Sequence, residues 1–410
     1  MKRLLAALRR YGVVDGVWTI AASLGSKVQT LVLMAVAGYS GGVSSLGAVV
    51  LATSISYLAA AVGGVGLSPQ ANRWFARNPD GARSTLLSPL SWRAAFAATL
   101  GCAGAVALFG ASVDDSSLGC WVVTVGLLSA AYLSATAMTS AAYGSGRFRQ
   151  AATLNGLVRL TSVVVLVALA LVPAPIWVQL ATVALFEGVI AASQYAGLRR
   201  GHLRLQGALS VRTTWPYSIG PIANNLMNRS DTVVVAAAAS SSAVGVFVLA
   251  SQIENALTTI ALVPAGAAIT YAARDSSQRT VARQQLVVST VVGGLYSAMA
   301  IPLLLWTDPI TELVFGVTLD SALPIQICVV AGIFSCLGGL GMQILTGVGD
   351  RVAIVWIWAV TAITAIALIG IGAAVAGATG AALGALIRDL LFFGLTWGRL
   401  RWKREHDRHE

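Results

Sequence analysis

The chain has 410 residues, of which 57% are hydrophobic and 10% charged, and its mean hydropathy is +0.78. A soluble domain carries about 25% charged residues, so the composition excludes an ordinary soluble globular fold. The net charge of +11 is met by an Arg-rich face against anionic lipid and calls for no nucleic-acid partner.

Twelve apolar segments follow in chain order: 12–37, 43–68, 94–112, 118–142, 151–172, 175–197, 214–238, 243–271, 285–306, 322–346, 352–374 and 377–398. Each approaches the ~20 apolar residues that span a hydrocarbon core. The first follows a basic start, MKRLLAALRRYG, but it is too long for a signal peptide and contains Asp15 and Lys27, so it reads as a retained span. Every second connection is basic: the N-terminus, 69–93 (with Arg73, Arg77, Arg83 and Arg93), 143–150, 198–213, 272–284, Arg351 and the tail. Together they hold 23 of the 27 Lys and Arg residues. The alternate connections have none and carry Asp114, Asp115, Asp308, Glu312 and Asp320. Cationic loops stay on the cytoplasmic side. The spacing therefore predicts an all-α integral membrane protein of twelve transmembrane helices with both termini cytoplasmic; the 24 Arg against 3 Lys suggest a GC-rich bacterial genome, and with it a bacterial cytoplasmic (inner) membrane.

The chain also repeats itself. GAVVLATSI at 47–55 and GVFVLASQI at 245–253 match at five of nine positions with a constant offset of 198. Each follows a Ser-rich outer turn and opens the second span of a six-span half. The expected architecture is two six-helix bundles related by a pseudo-two-fold axis along the membrane normal, as in parallel-repeat transporters. The lobes are 1–200 and 210–400, with 401–410 a basic cytoplasmic tail.

Four cations lie inside spans: Lys27, Arg159, Arg229 and Arg388. A charge at mid-bilayer costs about 2.5–3.5 kcal/mol or more, so such residues face partners or water. Span 1 bears a polar stripe of Asp15, Thr19, Ser23, Ser26, Lys27 and Thr30, in helical steps of three and four. Span 7 bears another, made of Asn224, Asn225, Asn228, Arg229, Asp231 and Thr232. Span 8 adds Ser251, Glu254, Asn255 and Thr258. Lys27, Arg229 and the three asparagines are the candidate substrate-binding residues. Asp15, Asp231 and Glu254 are candidates for ion coupling or charge pairing. The internal-pairing alternative joins Lys27 or Arg229 to Asp231 or Glu254, and Arg159 or Arg388 to Glu187. Arg388 and Asp389 point about 100° apart on a helix, so mutual pairing is not expected of them.

The four cysteines show no ligand spacing and read as core filling, and all three histidines fall in cytoplasmic segments. No metal or cofactor is expected. Trp215-Pro216 and Gly220-Pro221 place a break at the base of span 7. Gly380 and Gly384 form a GxxxG pair suited to close helix packing.

Arg229-Ser-Asp231-Thr-Val-Val-Val followed by Gly245-Val-Phe-Val-Leu-Ala-Ser-Gln resembles the span-7 acid and span-8 entry of one flippase superfamily. Its members include drug/cation antiporters, lipid II flippases and polysaccharide transporters. Gly347-Val-Gly349-Asp350 and Gly377-Ala-Thr-Gly380-Ala-Ala fit as well, although Phe247 stands one place later than the usual aromatic. The likeness is to the polysaccharide-transporter, or oligosaccharide-flippase, branch. It implies a bilobed cavity, alternating access and an undecaprenyl-diphosphate-linked oligosaccharide as cargo. Polysaccharide assembly proteins are implied as possible partners. Arg and Lys suit a diphosphate, and Asn, Ser and Thr suit sugar hydroxyls.

A cation-coupled multidrug antiporter of the same superfamily is the nearest alternative, with Asp15, Asp231 and Glu254 as ion sites. Lys27 and Arg229 disfavour cationic drugs. A facilitator of the major superfamily would need a Gly-x-x-x-Asp-Arg loop after span 2, where Gly66-Leu-Ser-Pro-Gln-Ala-Asn-Arg73 stands. A membrane-embedded polysaccharide polymerase or acyltransferase would need a catalytic outer loop. The 307–321 loop offers only Asp308, Glu312 and Asp320, so no enzymatic activity is expected.

Overall fold

The computed structural model describes residues 13–77, 84–110, 115–172, 174–198, 230–262, 278–347 and 350–406, and the elements among them are helices. In order they are α1 (Val13–Gly64), α2 (Leu67–Arg77), α3 (Ser84–Phe109), α4 (Asp115–Gly144), α5 (Phe148–Ala170) and α6 (Ile176–Gly197). A helical stretch at 230–238 follows. Then come α7 (Ser241–Ala261), α8 (Gln278–Leu305), α9 (Thr307–Phe315), α10 (Leu323–Gly347) and α11 (Arg351–His406). Among the described residues nine helices are long and apolar enough to cross a membrane, which makes this a multi-pass membrane protein.

Two of the nine are broken. Helix α1 turns at Gly41–Gly42, where Gly42 has φ 68 and ψ −160, and α11 turns at Ala376–Gly377, where Gly377 has φ 56 and ψ −135. Such angles are open to glycine and closed to residues with a Cβ. Each is thus a pair of spans, as 12–37/43–68 and 352–374/377–398 predict. Span 214–238 is described only from Ser230 onward. The proposed break at Trp215–Pro221 lies outside the described residues.

The 69–93 connection departs from expectation. It contains a short amphipathic helix, α2, whose Leu67, Ala71, Trp74 and Phe75 are buried in steps of about one turn. Arg93, read above as a loop cation, is fully buried near the start of α3. Its Nη1 donates to Gly64 O at 2.9 Å, at the C-terminal end of α1. Unpaired carbonyls and the negative end of the helix dipole make that a suitable seat for a guanidinium.

The chain divides into two compact units, Met1–Val233 and Val234–Glu410. In the first, α1 packs on α3, α4 and α5, and α4 packs on α6; in the second, α10 packs on α7, α8 and α11. The repeat is visible in burial. Residues 46–59 and 244–257 show the same order of buried and half-buried positions throughout. Val50, Leu51, Ala52 and Ile55 are buried, and so are Val248, Leu249, Ala250 and Ile253. The Gly380–Gly384 pair packs as predicted: a Cβ on Gly380 would meet Gly372 O, and one on Gly384 would lie 2.7 Å from Leu368 O. The two spans of α11 therefore touch backbone to backbone. Cys328 and Cys336 fill the core, Cys102 and Cys120 are half-buried, and all four are free thiols.

Candidate functional site

The predicted site residues fall in different places. Lys27 is half-buried on α1. In the same stripe, Thr30 Oγ1 donates to Ser26 O at 3.0 Å, so the helix backbone absorbs that hydroxyl. Asp15 lies on α1, but its side chain is outside the described residues, as are Asn224, Asn225, Asn228 and Arg229. Asp231 is 2% exposed between the buried Ser230 and Thr232. Glu254 is 4% exposed on α7.

The first unit buries a polar layer that the stripes only partly foretell. Arg159 of α5 meets Glu187 of α6, with guanidinium–carboxylate contacts of 3.2 to 3.4 Å. This is one of the pairings expected from sequence. The Tyr57 and Tyr132 rings stack 4.1 Å apart, and both lie within electrostatic reach of Arg159. Gln29 Nε2 donates to Ser162 Oγ at 3.0 Å, tying α1 to α5. Gln194 Nε2 donates to Asn155 Oδ1 at 3.0 Å, and Asn155 Nδ2 donates to Thr139 Oγ1 at 3.2 Å. These bonds satisfy polar groups that lipid could not. A cavity of about 380 Å³ lies beside the layer, lined by Tyr57, Ser68, Tyr132, Thr136 and Ser140 among smaller apolar residues.

A second layer occupies the other unit. Here the expectation for Arg388 fails: it pairs with its neighbour Asp389. Nε donates to Oδ1 at 2.8 Å and Nη2 to Oδ2 at 3.0 Å, a bidentate contact with both residues buried. Their Cβ atoms do diverge, but the Arg stem is long enough to curl its planar fork back to the adjacent carboxylate. Glu254 of α7 is buried in the same unit, so this layer contains two buried carboxyl groups. Tyr296 lies beside them and donates its hydroxyl to Val329 O at 2.8 Å. Gly332 makes room for the cluster, since a Cβ there would collide with the Tyr296 hydroxyl and approach Glu254 Cγ to 2.8 Å.

Gln29, Tyr57, Tyr132, Tyr296 and Asp389 were missed as site residues. One signal was available: the offset of 198 sets Ser56 and Tyr57 opposite Glu254 and Asn255. It marks the same depth of the second span in each half as polar.

No protein-family model and no curated protein matches the chain. Solved structures do match in fold. An inward-closed structure of the lipid II flippase MurJ aligns at TM-score 0.76 with 10% identity, over 94% of this chain and 87% of that one. An inward-facing multidrug-resistance MATE-family transporter of the MOP superfamily aligns at 0.64 with 16% identity, over 94% and 98%. A MATE transporter of Vibrio cholerae aligns at 0.63 with 14% identity, over 99% and 98%. The chain has the fold of these membrane transporters along nearly its whole length.

Proposed function

We propose that the protein is an alternating-access flippase that moves a polyprenyl-diphosphate-linked oligosaccharide, a polysaccharide precursor, from the cytoplasmic to the outer leaflet of a bacterial inner membrane. The supporting observation is the half-buried Lys27 on the polar face of α1, in a fold similar over 94% of the chain to a lipid II flippase. In this reading spans 1–6 and 7–12 form two lobes, and the polar stripes of spans 1 and 7 line the path between them. Lys27 and Arg229 attract the diphosphate, and Asn224, Asn225 and Asn228 bind sugar hydroxyls. Asp15 and Asp231 tune the charge of that path. Both termini face the cytoplasm, and polysaccharide assembly proteins supply and consume the cargo.

One observation favours a second reading, a cation-coupled multidrug antiporter. Glu254 and Asp389 are carboxyl groups buried within the second unit, the kind of group that ion-driven exchange requires, and MATE transporters are among the matching folds. Proteoliposomes separate the two. A fluorescent polyprenyl-diphosphate disaccharide should become accessible to an impermeant quencher on the far leaflet only when the protein is present. Efflux of a cationic dye driven by a pH gradient, with no movement of the lipid-linked sugar, would replace the flippase reading with the antiporter one.

A further inference from the structure

The cavity beside the first polar layer has a lining to which the transport reading gives no role. It lies between the second limb of α1, the start of α2 and the second half of α4. The basic connections 69–93 and 143–150 leave from this end, which is the cytoplasmic end in the topology expected from sequence. The helices around it are close-packed. A Cβ on Gly63 would lie 2.8 Å from Ala97 Cβ, and one on Gly64 would lie 2.9 Å from Leu133 Cδ1. Helix α2 also packs on α4. Interiors packed this way hold few voids larger than a water molecule. A space of about 380 Å³ is therefore a formed feature, and it falls within the ~300–1,000 Å³ of small-molecule sites.

Main chain fixes the rim. Arg93 Nη1 donates to Gly64 O at 2.9 Å. Val65 follows with φ +39 and Gly66 with φ +67. A left-handed backbone is costly for a β-branched residue and persists only where the surrounding structure imposes it, as at ligand clamps. This turn leads the chain from α1 into α2 and sets Gly66, Leu67 and Ser68 in the cavity wall.

The lining combines two kinds of group. Tyr57 and Tyr132 stack with centroids 4.1 Å apart and planes 13° from parallel, and both rings line the cavity. Ser68, Thr136 and Ser140 supply hydroxyls. Thr136 Oγ1 donates to Tyr132 O at 2.7 Å, which leaves its oxygen able to accept. Among the described residues no charged side chain lines the cavity. Arg159, within electrostatic reach of both rings, is paired with Glu187. A pyranose ring matches this combination: its C–H face packs on an aromatic ring, and the hydroxyls at its edge exchange hydrogen bonds with Ser and Thr. A prenyl chain would use the rings and leave the hydroxyls unmatched.

We propose that this cavity is a subsite for a neutral sugar ring, stacked on the Tyr57–Tyr132 pair with its hydroxyls on Ser68, Thr136 and Ser140. The proposal rests on the flippase reading, in which that ring belongs to the lipid-linked cargo on the cytoplasmic side. The test is calorimetric titration of the purified full chain in detergent with a short-chain polyprenyl diphosphate, either bare or carrying a neutral hexose disaccharide. The wild type should bind the glycosylated lipid about tenfold more tightly, the scale of a good aromatic stacking contact. Y57L should lose most of that preference with its affinity for the bare lipid unchanged, and Y57F, which keeps the ring, should retain it. S140A removes a single hydroxyl and should lower the preference about threefold; it serves if Y57L fails to fold. Equal binding of the two lipids by the wild type, or a preference kept by Y57L (by S140A where Y57L does not fold), would overturn the subsite and leave the flippase reading standing. An equal fall for both lipids in Y57L would overturn it too, by assigning the cavity to the prenyl chain. A wild type that binds neither lipid would remove the flippase reading and the subsite with it.

Discussion

Arg159→Met isolates the energetics of the buried ion pair in the first unit. It leaves the Glu187 carboxylate, 2% exposed, without its cation. Removing one partner of a buried pair costs about 3–5 kcal/mol, because the remaining charge stays desolvated. The lower end applies here. The contacts of 3.2 to 3.4 Å exceed the ~2.7–2.9 Å of a tight charge-assisted bond, and Arg159 keeps 15% exposure. A loss of about 3 kcal/mol is roughly a hundredfold shift in the unfolding equilibrium. Glu187→Leu alone should cost a similar amount by stranding the guanidinium. The double variant Arg159→Met/Glu187→Leu should return to within about 1 kcal/mol of wild type, since apolar replacement of a buried pair is often neutral. Denaturant titration in detergent of the wild type, both singles and the double gives the coupling energy. Coupling below about 0.5 kcal/mol, with simply additive singles, would show that the two charges are solvated independently and refute the reasoning.

Arg229→Ala should abolish glycan export at near-normal membrane abundance, and Arg229→Lys should rescue it only partly, because Lys cannot form the bidentate phosphate contact. If Arg229→Ala/Asp231→Ala instead restores both surface glycan and abundance, Arg229 only neutralises Asp231 and the binding role is lost. Gly332→Ala pushes a methyl into the Tyr296 hydroxyl and should destabilise the second unit by about 1–3 kcal/mol, seen as a lower melting temperature in detergent; a neutral result would mean that the cluster is looser than described. Burial works against it, yet the Arg399 guanidinium and the Ala353 amide hold the Asp350 carboxyl below its usual range. A depressed folded value means that this stability is present at neutral pH and is lost as pH falls through the ordinary carboxylate range and below. Asp350→Asn should therefore flatten the melting temperature across that acid window by an amount worth under about 1 kcal/mol, since Arg399 is partly exposed, and an unchanged acid slope would count against the linkage.

Span positions were legible because lipid demands long apolar runs, and each run leaves a composition signal whatever its neighbours do. The turns at Gly41–Gly42 and Ala376–Gly377 fell at the junctions of such runs and were legible for the same reason. The Arg159–Glu187 pair could be anticipated because only a few charges lie within the spans and each needs a partner. Other features were hidden for physical reasons. Periodicity describes Cβ directions, so it says nothing about a guanidinium that folds back, as Arg388 does onto Asp389. Arg93 looked like a loop residue because a cation near a span end ordinarily snorkels; here the end of α1 supplies the acceptor. Gln29, Asn155 and Gln194 stand singly among Ala, Val and Leu, and only packing shows that they meet. Residues 199–229, which carry most of the proposed binding stripe, lie outside the described residues, so their role rests on sequence.

The glycine turns of α1 and α11 limit how the molecule can move. Two extended residues reach about 7 Å at most, less than the 8–10 Å separating packed helix axes. Each turn therefore keeps the adjoining ends of its two limbs together. The Gly372–Gly380 seam further removes the side chains that could act as rollers between the limbs of α11. The limbs of α11 are therefore held as one body, and any bending in that part of the chain has to be absorbed in the connections on either side of it.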